Sequence, residues 1–475
     1  MEFDPLLLSR LQFAFVVCFH AIFPVFSIGL ASFIALLEIL WLKTNNPVWR
    51  KLSEFWTKVF AVVFGMGVVS GVVMSFQFGT NWSNFSQASA NFLGPVLSYE
   101  VVTAFFLEAA FLGVLLFGRD KVPQGVHVFA AIMVAIGTFI SSFWILAANS
   151  WMHTPGGVEL RDGMFYVTSW SEAIFNSSFP YRFTHMALAS FLTGSFVVAG
   201  VSAWYLWLGR EVEANRRALS MCLWLILFAA PAQVFVGDLH GLNTLEHQPM
   251  KVAAMEGNWE TRTNVPLLLF AIPDQANQTN HFEIGIPGLA SLILTHDING
   301  EVPGLNEVPV AEQPPVAIVF WAFRIMVGLG MLMLAVAALG LFMRRGGRYW
   351  QTPWFLHLLR VMSVTPFIAV LAGWVVTEVG RTPWLVQGLI TQAEGLTPSL
   401  TGGMALFTLV GYILVYATVF FAGVYYLFRL LQAGLEVTGH DHAGEDVERP
   451  KRPFSATHVS LDGERPTPYS PATQE

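Results

Sequence analysis

Residues 94–117 read GPVLSYEVVTAFFLEAAFLGVLLF, an apolar run long enough to cross a bilayer that nevertheless carries Glu100 and Glu108. About 20 predominantly apolar residues span the hydrocarbon core as a helix. A carboxylate inside that core costs several kcal/mol unless it is protonated, paired or lining a polar path. Keeping two of them on one span points to a protein that handles protons or cations within the membrane. At 1.5 Å of rise per residue, Glu108 lies about 12 Å along the helix from Glu100. Eight α-helical positions also offset them by about 80°, so both can look into one interior seam.

The rest of the chain fits this span. Of 475 residues, 54% are hydrophobic and 12% charged, roughly half the charged share of a soluble domain. The expectation is an all-α polytopic membrane protein, a bundle of about nine transmembrane helices. The spans fall near 11–42, 60–79, 94–117, 126–148, 184–208, 219–240, 316–343, 355–376 and 402–430. Basic residues gather in alternate connections: Lys43, Arg50, Lys51 and Lys58; Arg119 and Lys121; Arg210, Arg216 and Arg217; Arg344, Arg345 and Arg348. The positive-inside rule then places the N-terminus outside and the C-terminus in the cytoplasm. The net charge of −7 adds little to that, and no nucleic acid is expected among the partners. Cys18 and Cys222 fall within spans and read as small apolar fillers.

Residues 1–435 are expected to form one transmembrane domain, and 436–475, polar and rich in proline, a disordered cytoplasmic tail. Two external segments are longer than the rest, 149–183 and 241–315. In the second, IGIPGLASLIL is too short to cross and reads as interfacial or packed. Loops of this length are usually functional.

Other polar groups share the outer half of the membrane with Glu100. His20, His185 and Met326 sit in the first, fifth and seventh spans, and Glu378 closes the eighth. A His and a Met at similar depth on different helices suit the two axial positions of a low-spin haem. His20 offers a single bond to another iron, and Glu378 a less usual carboxylate one. Arg324 and Arg381 are suitable counter-charges for propionates. Each residue also has a plainer reading: Met326 as packing, His185 as an interfacial residue or a satisfied core group, Glu378 and Arg381 as a surface ion pair. His127, His240 and His247, at span ends, read in that plainer way. Lys251 and Glu256, in the long loop, lack the spacing of a helical ion pair. They could instead hydrogen-bond a quinol and take its protons, or belong to a solvated loop.

The ordered set of runs resembles subunit I of the cytochrome bd-type quinol oxidases over about nine-tenths of the chain. It comprises LQFAFVVCFH (11–20), YEVVTAFFLE (99–108), ANSWMHTPGG (148–157), THMALA (184–189), KVAAMEGNWET (251–261), FRIMVGLG (323–330) and GWVVTEVGRTPW (373–384). The resemblance implies oxidation of ubiquinol or menaquinol at the outer face of a bacterial cytoplasmic membrane, coupled to reduction of O2 to water. It implies a low-spin haem b on His185 and Met326, and a high-spin haem b and a haem d on His20 and Glu378, in an order left open. Lys251 and Glu256 match quinol-binding positions of the Q loop. Glu100 matches a residue beside the oxygen-reducing haem, Glu108 a proton-path carboxylate, Trp374 an aromatic between haems, and Arg324 and Arg381 positions near propionates. Only about 70 residues separate Lys251 from Arg324, so the Q loop is the short form. That branch includes the cyanide-insensitive oxidases, so a further haem b in place of haem d stays open. The partners implied are a subunit II and often a very small single-helix third subunit.

Two rivals predict different patterns. A secondary transporter would show broken helices in paired halves around a midplane site, and no such correspondence is present. A haem electron-transfer module without oxygen chemistry would not need single-sided ligands such as His20 and Glu378.

Overall fold

The structure is a computed structural model that describes residues 3–435. The expected tail, 436–475, lies outside the described residues. Among these, nine helical segments are long and apolar enough to cross a membrane. They are α1 (Pro5–Thr44), α2 (Pro47–Thr80), α3 (Ser83–Phe117), α4 (Gln124–His153), α5 (Phe179–Trp207) and α6 (Val212–His247). After the short helices α7 (Pro249–Glu256) and α8 (Leu289–Thr295) come α9 (Val316–Met343), α10 (Pro353–Met362) with α11 (Thr365–Val379), and α12 (Gly402–Ala433). The eighth crossing is thus two helices, interrupted just before Pro366, where the ring has no N–H to continue the ladder.

Most helices overrun the apolar windows by several residues, because polar caps extend them past the hydrocarbon. Asp4 accepts from the Leu6 amide at 2.9 Å and Pro5 opens α1. Asn46 and Pro47 do the same for α2, with Asn46 accepting from Val48 at 3.0 Å. Such caps satisfy amides that have no partner within the helix.

The main core lies between α1, α2, α5, α6, α9 and α10, with Leu30, Phe60, Phe196, Leu219 and Phe355 fully enclosed. α1 and α5 cross at Gly29 and Gly194. A Cβ on Gly29 would lie 3.1 Å from the Gly194 Cα, so this close approach requires small residues. At the opposite end of α1, buried Glu38 binds Arg119 at 2.6 Å, His127 at 3.1 Å and the Ser53 hydroxyl. His127 is therefore a satisfied core group, the enclosed partner of a carboxylate.

The apolar pattern gave no sign of β-structure, yet among the described residues four two-stranded antiparallel sheets decorate the bundle. The strands β1 (Val158–Arg161) and β2 (Met164–Val167) pair in the 149–183 segment. In the 241–315 loop, β3 (Arg262–Thr263) pairs with β6 (Glu301–Val302), and β4 (Leu267–Asp274) with β5 (Thr279–Ile286). Asp274 fixes the β4–β5 turn by accepting from the Ala276 and Asn277 amides. The IGIPGLASLIL stretch divides between the end of β5 and α8, which packs on Val265 and Val302. β7 (Trp384–Val386) and β8 (Ile390–Thr391) follow α11.

Candidate functional site

The helix α4 organises the polar groups of the membrane interior. Gly137, Ser141, Asn149 and His153 lie four, eight and four residues apart, so they form a stripe that winds slowly round the helix, by about 160° over its length. Gly137 meets Glu108: a Cβ there would fall 2.5 Å from the Glu108 Cγ. The Ser141 hydroxyl donates to Glu100 at 2.7 Å. Asn149 donates to Glu378 at 2.8 Å. His153 Nδ1 is 3.0 Å from the Lys251 Nζ, and its Nε2 is 3.5 Å from Glu378. From Gly137 to His153 the stripe rises about 24 Å.

A π-helical turn, Val101–Phe105, separates the two carboxylates of α3. Each such turn holds an extra residue and so subtracts from the α-helical rotation. Both glutamates consequently face the same stripe on α4 rather than diverging by the 80° of an ideal α-helix. Glu108 is buried and Glu100 half-buried. The absent side chain at Gly137 is what makes room for Glu108. Gly137→Ala is therefore expected to lower oxygen-consuming turnover by roughly tenfold to a hundredfold through displacement of the carboxylate. Oxygen-electrode rates on the purified complex check this.

Near the loop end of the bundle a cavity of ≈430 Å³ opens between α5, α6, α9 and α11, a size suited to a large organic ligand. His185 and Met326 both line it, as do Trp374 and His240. Glycines face both candidate ligands. A Cβ on Gly237 would come 3.2 Å from the His185 ring, and one on Gly373 3.0 Å from the Met326 sulfur. The His185 Nδ1 has no partner, and its Nε2 touches only the Gln233 side-chain amide, at 3.1 Å. A largely apolar cavity lined by an imidazole and a thioether, each with a glycine against it, fits a haem that these two residues would hold.

His20 is arranged differently. Its Nδ1 is 2.8 Å from the Ser70 hydroxyl, which itself donates to the Gly67 carbonyl at 2.9 Å. With that hydroxyl proton engaged, Ser70 must accept from Nδ1–H, which leaves Nε2 unprotonated and free to bind a metal. Gly71 faces the ring, and a Cβ there would come 3.1 Å from it. Glu378 accepts from Arg381 at 2.5 Å as well as from Asn149. This is an enclosed pair, since Arg381 is only 4% exposed, and not the surface pair that the span end allowed.

At the loop, three of the expected residues gain defined partners. Lys251 and Glu256 share α7 but face different partners. Lys251 turns inward to His153 and to Gln248 at 2.8 Å. Burial, and the charges of Arg182 and Arg381, push its ammonium well below the usual lysine range. Glu256 pairs with Arg324 at 3.0 Å, yet burial still leaves its carboxyl above the ordinary range. Arg324, matched by resemblance to a position near propionates, makes three contacts within the chain. It donates to Glu256, to the Leu268 carbonyl at 2.9 Å and to the Met255 carbonyl. The β4–β5 hairpin competes for that guanidinium, a contact invisible without knowledge of the strands. The cavity wall carries Arg182.

A family model for cytochrome bd terminal oxidase subunit I matches residues 8–435. The chain belongs to that family. It is 34% identical over 460 residues to cytochrome bd ubiquinol oxidase subunit 1 of Bacillus subtilis, covering 95% of this chain and 97% of the relative. To cytochrome bd-II ubiquinol oxidase subunit 1 of Escherichia coli it is 31% identical, covering 91% and 97%. The solved bd oxidase from Geobacillus thermodenitrificans superposes with a TM-score of 0.85 at 32% identity, covering 91% of this chain and 99% of that one. The protein is thus a multi-pass subunit of a bacterial inner-membrane oxidase, an oxidoreductase with O2 as acceptor. The family implies haem cofactors and a complex with a subunit II.

Sequence reasoning did not assign roles to Ser70, Gly137, Ser141, Asn149, His153 or Arg182. The spacing along α4 held part of the signal for four of them: 137, 141, 149 and 153 follow one another at intervals of four and eight, each close to a whole number of turns from the next. Arg182, three residues before His185, was legible as a cation one turn from a candidate ligand.

Proposed function

We propose that residues 1–435 form the transmembrane haem-binding domain of a quinol:O2 oxidoreductase, with its N-terminus and the 241–315 loop at the outer face. Quinol, ubiquinol or menaquinol, docks beside the loop, where Glu256 accepts a proton. Its raised affinity for protons suits a base that must hold one before releasing it to the outside. Arg324 holds that carboxylate in place, and Lys251 with His153 supplies the polar edge of the same region.

His185 and Met326 would hold a low-spin haem b. His20 and Glu378 would each hold one of two high-spin haems, a b and either a d or a further b. When bound, these groups supply the one-electron steps and the site at which O2 is reduced. The chain supplies position and protons. Ser70 sets the His20 tautomer, while Asn149 and Arg381 orient Glu378. Glu108 and Glu100 pass cytoplasmic protons outward along the α4 stripe, with Ser141 as hydroxyl partner at Glu100. Protons are released outside and consumed from inside, so proton motive force arises without a pump. A subunit II, and a small third subunit, complete the assembly.

The observation that carries this reading is the stripe on α4. It aligns Glu108, Glu100 and Glu378 in order and ends at Lys251, beside the cavity that His185 and Met326 flank. A reduced-minus-oxidised spectrum of the purified complex, with haem extraction and quinol-driven oxygen uptake, tests it. Low-spin haem and quinol-dependent uptake are expected; a preparation with subunit II assembled but no haem defeats the reading.

A further inference from the structure

Arg182 is the third residue before His185 on α5, so the two lie about one turn apart on neighbouring parts of one face. It lines the same cavity and is only 6% exposed. Among the described residues its guanidinium has no hydrogen bond and no ion pair, and its Nε is enclosed without a partner. A buried guanidinium presents five donors and a permanent charge, so an unpartnered one is among the least tolerable groups in a protein interior.

The surroundings increase the imbalance. Among the described residues Lys251, 3% exposed, bonds only His153 and Gln248, neither of them an acid. Arg381 gives Nη2 to Glu378 and leaves Nε and Nη1 without partners. Arg182, Lys251 and Arg381 are close enough to repel one another. Two guanidiniums, with the Lys251 amine beside them, therefore face one carboxylate, Glu378. The other carboxylates on the cavity wall do not supply the difference: Glu256 is paired with Arg324, and Asp238 is exposed.

The missing partner must be anionic and must belong to an otherwise apolar body that fills the cavity. A quinol is neutral and cannot balance the charge. A haem carries two carboxylates on one edge of an apolar ring, and a guanidinium fork matches a carboxylate in shape. We propose that Arg182, flanked by Lys251 and Arg381, is the seat of the propionate carboxylates of the haem that His185 and Met326 hold. This rests on the axial assignment given under the proposed function. The seat does more than anchor. A fixed cation beside the ring favours the ferrous state, which carries one positive charge fewer than the ferric, and so raises the midpoint potential.

The test is a potentiometric titration of the low-spin haem in the intact complex, on the wild type, Arg182→Gln and Arg182→Lys. Removing the charge in Arg182→Gln is expected to lower the ferrous-to-ferric ratio at a given potential about tenfold, a shift of about 59 mV for one electron. Arg182→Lys keeps the charge and is expected to restore most of it. Loss of low-spin haem from Arg182→Gln with retention in Arg182→Lys supports the seat equally well. An unshifted potential in Arg182→Gln overturns it, and so does equal loss of haem from both variants. An unshifted potential with less co-purifying phospholipid assigns the cation to a headgroup phosphate and also overturns it. The axial reading fails separately, if His185→Ala keeps the wild-type low-spin spectrum.

Discussion

Glu108→Gln is expected to slow quinol-dependent oxygen uptake by about a hundredfold or more, the range lost when a positioned proton-transfer group is removed. Glutamine keeps the size and the place against Gly137 but cannot exchange a proton. Glu108 is 6% exposed, and the next acid toward the loop end on α3 is Glu100. The π-turn and the Ser141 contact hold that pair on one stripe, so no second carboxylate of α3 stands at the depth of Glu108 to replace it. In the proposed reading, reduction of the low-spin haem by quinol belongs to the cavity at the other end of α4, so it should proceed at the wild-type rate in an anaerobic stopped-flow experiment. That split separates a proton defect from a folding defect, because misfolding would slow both. Wild-type oxygen uptake in this variant would remove Glu108 from the path.

How much of this was legible in the sequence follows from which interactions are local. The spans were legible because hydrocarbon demands about 20 apolar residues, and their polar ends were not, because caps such as Asp4 and Asn46 act on hydrogen bonds rather than on hydropathy. Glu100 and Glu108 stood out as charge in an apolar run. Their alignment did not, since a π-turn has no compositional mark in VVTAF. The partners of Arg324 were hidden for another reason. The Leu268 carbonyl and Glu256 lie 56 and 68 residues away along the chain, and only the folded β4–β5 hairpin brings that carbonyl to the guanidinium. His153 lay in plain view within ANSWMHTPGG. What it meets, Lys251 and Glu378, comes from two other segments of the chain.

Met326→Leu should abolish the low-spin spectrum and replace it with a high-spin one, the largest spectroscopic change that any single substitution here predicts. Leucine nearly conserves volume, and such swaps in a packed interior cost little, usually below about 1.5 kcal/mol. The helix should therefore stay in place while the thioether, and with it the sixth bond, is lost. The local geometry makes the substitution specific. Gly373 leaves the sulfur its space, at 3.0 Å from where a Cβ would stand, and that space is too tight for another side chain of α11 to enter as a substitute ligand. His240, whose ring is 5.7 Å from that of His185, is the nearest imidazole to it on the cavity wall. It lies on α6, packed against the His185 side, whereas Met326 projects from α9 toward α11. Optical and electron paramagnetic resonance spectra of the assembled complex read the outcome directly. An unchanged low-spin signal would take Met326 out of the ligand set, whereas loss of the haem altogether, with His185→Ala behaving alike, would place both residues on the same cofactor.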